Sequence, residues 1–286
     1  MELVNYGFVV LNYLSFEDSV NAVDSILNIQ TKFNESILIY VVDNNSPQLI
    51  LNSLTDALKS IPNLKIIVND RNIGFARGNN VGIEAALKDD CKFITCLNND
   101  VTITSKDYVE LLNDTYGTQG SAIIGPMIMT SSGANQNPFL LSPPTLDKIE
   151  YRKKLYTTTF GKFKYWTIHL KNYFFAKSLH DPTQQTKNMD EGTYYALHGA
   201  IFALTPTFFK HYNGLDPNTF LYSEELILAA MLESHGMTAY YQPNIQATHE
   251  EDVATNLLLS SNKLKKYIFC LKHEYNSMRH LYSNYF

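Results

Sequence analysis

The chain has 286 residues, 45% of them hydrophobic and 13% aromatic, with 23 Lys+Arg against 28 Asp+Glu. That length and composition suit one large domain or a small pair with a buried core, and they exclude global disorder. A formal net charge of −5 argues against a general nucleic-acid binder, which would normally show a basic domain. Three cysteines, Cys91, Cys96 and Cys270, cannot build a disulfide framework and suggest a reducing compartment. Glu2 and Asn5 interrupt a start that lacks a basic leader, so no signal peptide is expected. The longest uncharged stretch, Thr115 to Leu146, is too rich in Gly, Ser, Asn and Pro to cross a bilayer as a helix. The expected location is the cytoplasm, with the inner face of the cell membrane as an alternative.

The first half reads as alternating strands and helices. Gly7–Leu11 is a short apolar run of the kind found in strands buried on both faces. Phe16, Val20, Val23 and Leu27 follow at helical spacing, with Ser15 as the expected N-cap. Ile37–Val42, Leu64–Val68 and Phe93–Leu97 are three further strand-like runs, with helical stretches near Pro47–Ser60 and Ala76–Lys88 between them. This order implies an α/β fold with a mostly parallel sheet and right-handed crossovers. In such sheets the ligand crevice lies outside the carboxyl ends of the strands. Polar residues gather at all four ends: Asn12, then Asp43 to Ser46, then Asn69 to Asn72, then Asn98-Asn99-Asp100. Each cluster alone is a turn signal; their shared placement predicts a binding site.

No G-x-G-x-x-G follows the first strand and no G-x-x-x-x-G-K-[ST] occurs, so dinucleotide and P-loop readings lose support. Gly74-Phe75-Ala76-Arg77-Gly78-Asn79-Asn80 precedes a helix, where free backbone N–H groups could face an anion and Arg77 could add a phosphate contact.

Four motifs in order carry a family resemblance: Val9–Tyr13, Val41–Ser46, Asn72–Asn80 and Leu97–Asp100. Over roughly residues 5–105 and 195–250 the chain resembles the GT-A glycosyltransferases of family 2, most of all the rhamnosyltransferase-like branch that builds bacterial surface polysaccharides. The resemblance implies a GT-A, Rossmann-like fold and inverting transfer of a hexose or deoxyhexose from a UDP- or dTDP-sugar to a polysaccharide or lipid-linked acceptor. It implies that Asp43 accepts from the base and that Asn12 lines the nucleoside pocket. Asn45, Asn72, Gly74, Arg77, Asn79 and Asn99 would complete the donor site, with His198 near the sugar. Asp100 stands at the last position of the Asp-x-Asp-like motif, and His249 on the terminal strand would complete a metal site. Mn²⁺ or Mg²⁺ suits these ligands, with the imidazole favouring Mn²⁺. The acidic pair Glu224-Glu225 supplies the acid/base candidates, Glu225 being the implied base, because sugar transfer needs a carboxylate within reach of the attacking hydroxyl. Ser223 is the expected cap of the helix they open.

One departure stands out. The family usually carries an Asp and an Arg on the helix after the pair, and here Ile227 and Met231 occupy those positions. A catalytically weak or inactive sugar-nucleotide- or glycan-binding subunit of a polysaccharide assembly complex is therefore the alternative reading. Nucleotidyl transfer is a third class, but Leu11–Ser15 lacks the basic glycine-rich loop it needs.

Residues 1–252 are expected to form the GT-A domain: a nucleotide-binding half over 1–125, an acceptor-side insertion over 127–190 and a catalytic half over 191–252. Residues 253–286 would form a basic aromatic helical tail. From 148 to 177 there are eight Lys/Arg and one acid, and from 263 to 286 five and one. Both segments are rich in aromatics, a composition that suits an anionic acceptor or peripheral membrane contact and predicts partial helix over Lys148–Lys177.

Overall fold

The computed structural model describes residues 4–175, 189–250 and 263–286. The last residues of the first basic segment (176–177) and the start of the expected tail (253–262) lie outside the described residues.

The four expected strands form, as β1 (Val4–Asn12), β2 (Glu35–Asp43), β3 (Leu64–Val68) and β4 (Cys91–Asn98). They pair in parallel in the order β3-β2-β1-β4, with Asn12 opposite Asp43 and Leu11 opposite Asn98. Three of them run one residue past the apolar run at the carboxyl end, so Asn12, Asp43 and Asn98 finish nearly level. The intervening helices are α1 (Phe16–Leu27), α2 (Gln48–Leu58) and α3 (Phe75–Lys88).

The chain then adds β5 (Val101–Ile103), α4 (Tyr108–Gln119), β6 (Ile123–Thr130), α5 (Leu146–Thr157) and α6 (Thr159–Phe175). After these come β7 (Gly192–Tyr194), β8 (Ile201–Leu204), α7 (Glu224–Glu233), β9 (Ala239–His249) and α8 (Lys263–Asn284). The nine-stranded sheet continues as β4-β8-β6-β9-β5, with β7 on β9, and is mostly parallel. Alternating side chains sort its two faces. Tyr6, Phe8 and Val10 of β1 join Ala22 and Ile26 of α1, Leu54 of α2 and Leu112 of α4 in one core. Val9 joins Ile83 of α3, Ile227 and Met231 of α7, and Leu271, Tyr275 and Tyr282 of α8 in the other.

Three local expectations need correction. Leu27 is 48% exposed, because α1 turns Ser19, Ala22, Val23 and Ile26 inward. The Ser19 hydroxyl donates to Asn12 Oδ1 (2.9 Å), which fixes that rotation. Ser15 does not cap α1 through its side chain; its hydroxyl donates to the Asp18 carboxylate instead. Over 148–175 the partial helix is nearly complete, as α5 and α6 meeting at Thr158. No helix among the described residues is long and apolar enough to cross a membrane.

Candidate active site at the strand tips

A cavity of about 150 Å³ opens at the carboxyl ends of β1, β2 and β4. Tyr13, Asn44, Asn72, Gly74, Asn99 and Asp100 line it from the first half of the chain, and Phe220 and Phe269 close it from the second.

Asn12 and Asp43 lie beneath this cavity, both fully buried. Asn12 Nδ2 donates to Asp43 Oδ1 (2.6 Å), and Asn12 Oδ1 accepts from Ser19 and from Asn99 Nδ2 (3.1 Å). The second Asp43 oxygen accepts from the Ser46 backbone N–H (2.8 Å). Asn12 therefore ties three strand tips together, and Asp43 has a protein donor on each oxygen. Asn44 makes an equivalent set of ties nearer the surface. Its amide donates to Asn72 Oδ1 and Gly74 O (both 3.1 Å), while its oxygen accepts from Asn69 Nδ2 and Ile73 N. Asn45 is exposed and left-handed (φ 69°), the turn that lets the chain leave β2.

Gly74 is where backbone freedom is required. It sits at φ 89°, and a Cβ there would lie 2.3 Å from the Phe220 carbonyl oxygen. That carbonyl accepts from Phe75 N (2.8 Å), so the first helical N–H of α3 faces the 214–222 strap rather than an anion. Arg77 is exposed and its Nε donates to Pro217 O (2.6 Å), while Asn80 holds Leu215 on both sides. Asn79 is buried inside α3, its amide donating to Phe75 O and its Oδ1 left without a partner. Arg77 and Asn79 thus flank the strap's anchorage and do not line the cavity.

Asp100 and His249 come together although 149 positions separate them. β5 pairs with β9 directly after Asp100, setting Val101 opposite His249, and Glu250 N donates to Asp100 O (3.0 Å). His249 Nε2 lies 3.3 Å from Asp100 Oδ1, an ion-pair distance, yet that buried oxygen has no hydrogen-bond partner. His249 Nδ1 is 2.8 Å from Gln136 Oε1, which requires the proton on Nδ1 and turns the Nε2 lone pair toward Asp100 in the uncharged ring. An orphaned carboxylate oxygen facing an imidazole lone pair fits a hard divalent cation. Among the described residues no group of three or more His, Cys, Asp or Glu could hold a metal, so this pair would need oxygen ligands from a bound diphosphate.

His198 stacks edge-on to His249 with ring centroids 5.8 Å apart, and burial, followed by the neighbouring His249, pushes its pKa down to about 3. Its Nδ1 accepts from Ala200 N (3.1 Å). The next residue, Gly199, donates its N–H to Glu225 Oε1 (3.2 Å), and a Cβ on Gly199 would come within 3.0 Å of that oxygen. Glu224 and Glu225 open α7 above a crevice of about 30 Å³ lined by Leu197, Phe202, Leu215, Ile227 and Met231. Burial in these apolar surroundings raises both carboxyl pKa values, and repulsion from Glu225 raises Glu224 further. Glu224 Oε1 has no hydrogen-bond partner. Ser223 precedes the helix but does not cap it: Tyr222 (φ 72°) and Ser223 (φ 64°) are both left-handed, which turns the hydroxyl away from the helical N–H groups.

Sequence reasoning missed the cavity wall that comes from the second half. Phe269 belongs to α8, where it and Phe220 both pack on His273 (4.4 and 4.6 Å). Asn44 and Tyr13 also line the cavity, and the sequence signal for them is their place one residue beyond the polar ends of the first two apolar runs.

A sheet whose parallel strand tips open onto one cleft, extended beyond β4 by a second set of strands, has the architecture of the GT-A glycosyltransferases. Residues 9–176, more than half the chain, match the family model described as Glycosyl transferase family 2. The chain belongs to that family of sugar transferases. The match runs through α5 and α6, where motif resemblance thins, and ends before residues 195–250. Solved structures share the fold at low identity. GalNAc-T7 with UDP, GalNAc and Mn²⁺ is 13% identical, with a TM-score of 0.59 over 98% of this chain and 50% of that one. TarS 1–349 from S. aureus is 11% identical, with a TM-score of 0.55 over 97% and 72%. The mannosyltransferase PcManGT from Pyrobaculum calidifontis with GDP-Man and Mn²⁺ is 10% identical, with a TM-score of 0.53 over 96% and 68%. The chain thus spans half the length of GalNAc-T7. No curated protein matches it in sequence.

Proposed function

We propose that the protein transfers a hexose or deoxyhexose, with inversion, from a UDP- or dTDP-sugar to a polysaccharide or lipid-linked glycan acceptor. Bacterial surface polysaccharide is the product class that the rhamnosyltransferase-like motifs favour. One observation carries this reading: Asp100, His249 and His198 lie side by side, and the backbone N–H of Gly199, the residue after His198, donates to Glu225.

The donor nucleoside would occupy the 150 Å³ cavity among Tyr13, Asn44, Asn72 and Phe269, with Asn12 and Asp43 holding the strand tips in place from below. Asp100 and His249 would hold a divalent cation, Mn²⁺ more readily than Mg²⁺, which offsets the charge on the leaving diphosphate. Glu225 would take the proton of the acceptor hydroxyl as it attacks the anomeric carbon. Its raised pKa suits that task, since a base is most effective near the working pH. Residues 191–252 would then form the catalytic half and the insertion over 127–190, with α5 and α6, the acceptor side.

The test is to incubate the purified protein with UDP-, dTDP- and GDP-sugars and Mn²⁺, Mg²⁺ or chelator. Metal-dependent hydrolysis of a UDP- or dTDP-sugar is expected, and Glu225→Gln should lose about 10²- to 10⁴-fold in turnover while still binding nucleotide. Donor binding without turnover by the wild type would establish the binding-only alternative, and full turnover by the variant would remove Glu225 as base.

A further inference from the structure

We propose that the outer face of α6 is a docking surface for an anionic lipid bilayer. Helix α6 has two aromatic faces, and only one is covered. On the inner side Tyr165 is buried against Tyr156 and Tyr275, its hydroxyl donating to Leu271 O, and Tyr267 of α8 donates to His169 O. On the outer side Phe160 and Phe163 are 77% and 68% exposed, with Leu170 also in solvent. These three residues and Lys164 and Lys171 fall on one helical arc by their spacing. The helix contains no Asp or Glu.

Phenylalanines flanked along their own helix by lysines and by no acid fit a bilayer better than other occupants. A second copy of this chain would set lysine against lysine across the contact. A soluble polyanion would satisfy the lysines but offer nothing apolar to Phe160 and Phe163. Acyl chains under anionic headgroups meet both needs, with the rings below the headgroups and the ammonium groups at their level. Helix α6 lies against α8, and α8 carries Phe269 in the cavity wall, so this face is one helix away from the donor cleft. That placement deepens the proposed function, and rests on it, only in bringing the cleft to where a lipid-linked acceptor would be met.

The experiment is co-sedimentation of the full chain, without donor, on vesicles of pure phosphatidylcholine and of phosphatidylcholine with phosphatidylglycerol. Binding at least ~10-fold tighter on the anionic vesicles is expected. Phe160→Ser with Phe163→Ser should weaken it by at least ~10-fold, and Lys164→Gln with Lys171→Gln by roughly 5-fold per charge. Both pairs should keep the wild-type circular dichroism; should the phenylalanine pair misfold, the lysine pair still decides. Absence of vesicle binding, equal binding to both vesicle types, or a dimer that the phenylalanine pair dissolves would overturn the proposal. So would tight binding of dextran sulfate in place of vesicles. A protein that binds vesicles but turns over no donor loses the transferase reading and keeps this one.

Discussion

Replacing Asn12 by Ala tests whether the strand tips form one cooperative unit. The side chain makes a charge-assisted bond to Asp43 (2.6 Å), accepts from Ser19 (2.9 Å) and Asn99 (3.1 Å), and reaches Ser46 Oγ at 3.4 Å. Ser19 and Asn99 each keep a second acceptor in Ser15 O, so their losses are small, about 0.5–1 kcal/mol apiece. The Asp43 carboxylate is fully buried and keeps only the Ser46 N–H, which costs about 1.5–3 kcal/mol. Together the variant should lose about 2.5–5 kcal/mol, a drop in Tm of roughly 5–10 °C for a chain of this size. Differential scanning calorimetry gives the Tm, and UDP titration gives the site. Lost nucleotide binding together with a lowered Tm is expected. An unchanged Tm with abolished UDP binding would show that Asn12 touches the nucleoside directly and that the network reasoning is wrong.

Gly74→Ala should lower Tm by roughly 2–6 °C through about 1–3 kcal/mol of backbone strain, and weaken UDP binding further because the new Cβ must push the Phe220 carbonyl out of the cavity wall. Wild-type stability and affinity together would disprove the tight approach. For Glu224 the sign is fixed by burial: the folded protein holds the proton above the ordinary 4.5, whereas the unfolded chain releases it there. Stability should therefore decline as pH rises from about 4.5 toward the raised folded value. Glu224→Gln should gain on wild type by roughly 1–3 kcal/mol between pH 4 and pH 8 in urea melts; a gap that stays constant with pH would contradict the raised pKa.

The four strands and their polar tips were legible because continuous β-branched runs end abruptly at Asn and Asp. The meeting of Asp100 with His249 was legible only through the motif resemblance, since the two are brought together by the pairing of β5 with the distant β9. What remained hidden depended on rotation and on distant partners. Helical spacing singled out Phe16, Val20, Val23 and Leu27 of α1, but the Ser19 bond to Asn12 turns the helix so that Leu27 faces solvent. The N–H groups of α3 looked available to an anion until the strap's Phe220 carbonyl took the first. No local pattern in Lys263–Asn284 shows that Phe269 walls a cavity built by the opposite end of the chain. The interleaved aromatics marked α6 and α8 as interfacial without showing that each helix covers one face of the other.

The apolar residues after the acidic pair take on a different meaning once the packing is known. An Asp and an Arg at positions 227 and 231 would bring charge beneath Glu224 and Glu225. Ile227 and Met231 instead pack with Leu197, Phe202 and Leu215 and leave a crevice of about 30 Å³, too small for more than about a water or two. Buried over these apolar side chains, the carboxyls keep raised pKa values, which moves a general base toward neutral pH. Orientation must then come from the backbone. Two consecutive left-handed residues, Tyr222 and Ser223, aim α7, and each such conformation costs about 1–2 kcal/mol. Helix α8 holds that turn: Ser277 donates to Leu221 O (2.8 Å) and Tyr222 donates to Cys270 Sγ (3.0 Å). His280 and Tyr285 fasten the strap at Asp216 (2.6 and 2.7 Å). On the proposed reaction, α8 therefore orients the acidic pair through the turn before α7, and the apolar floor does the pKa tuning.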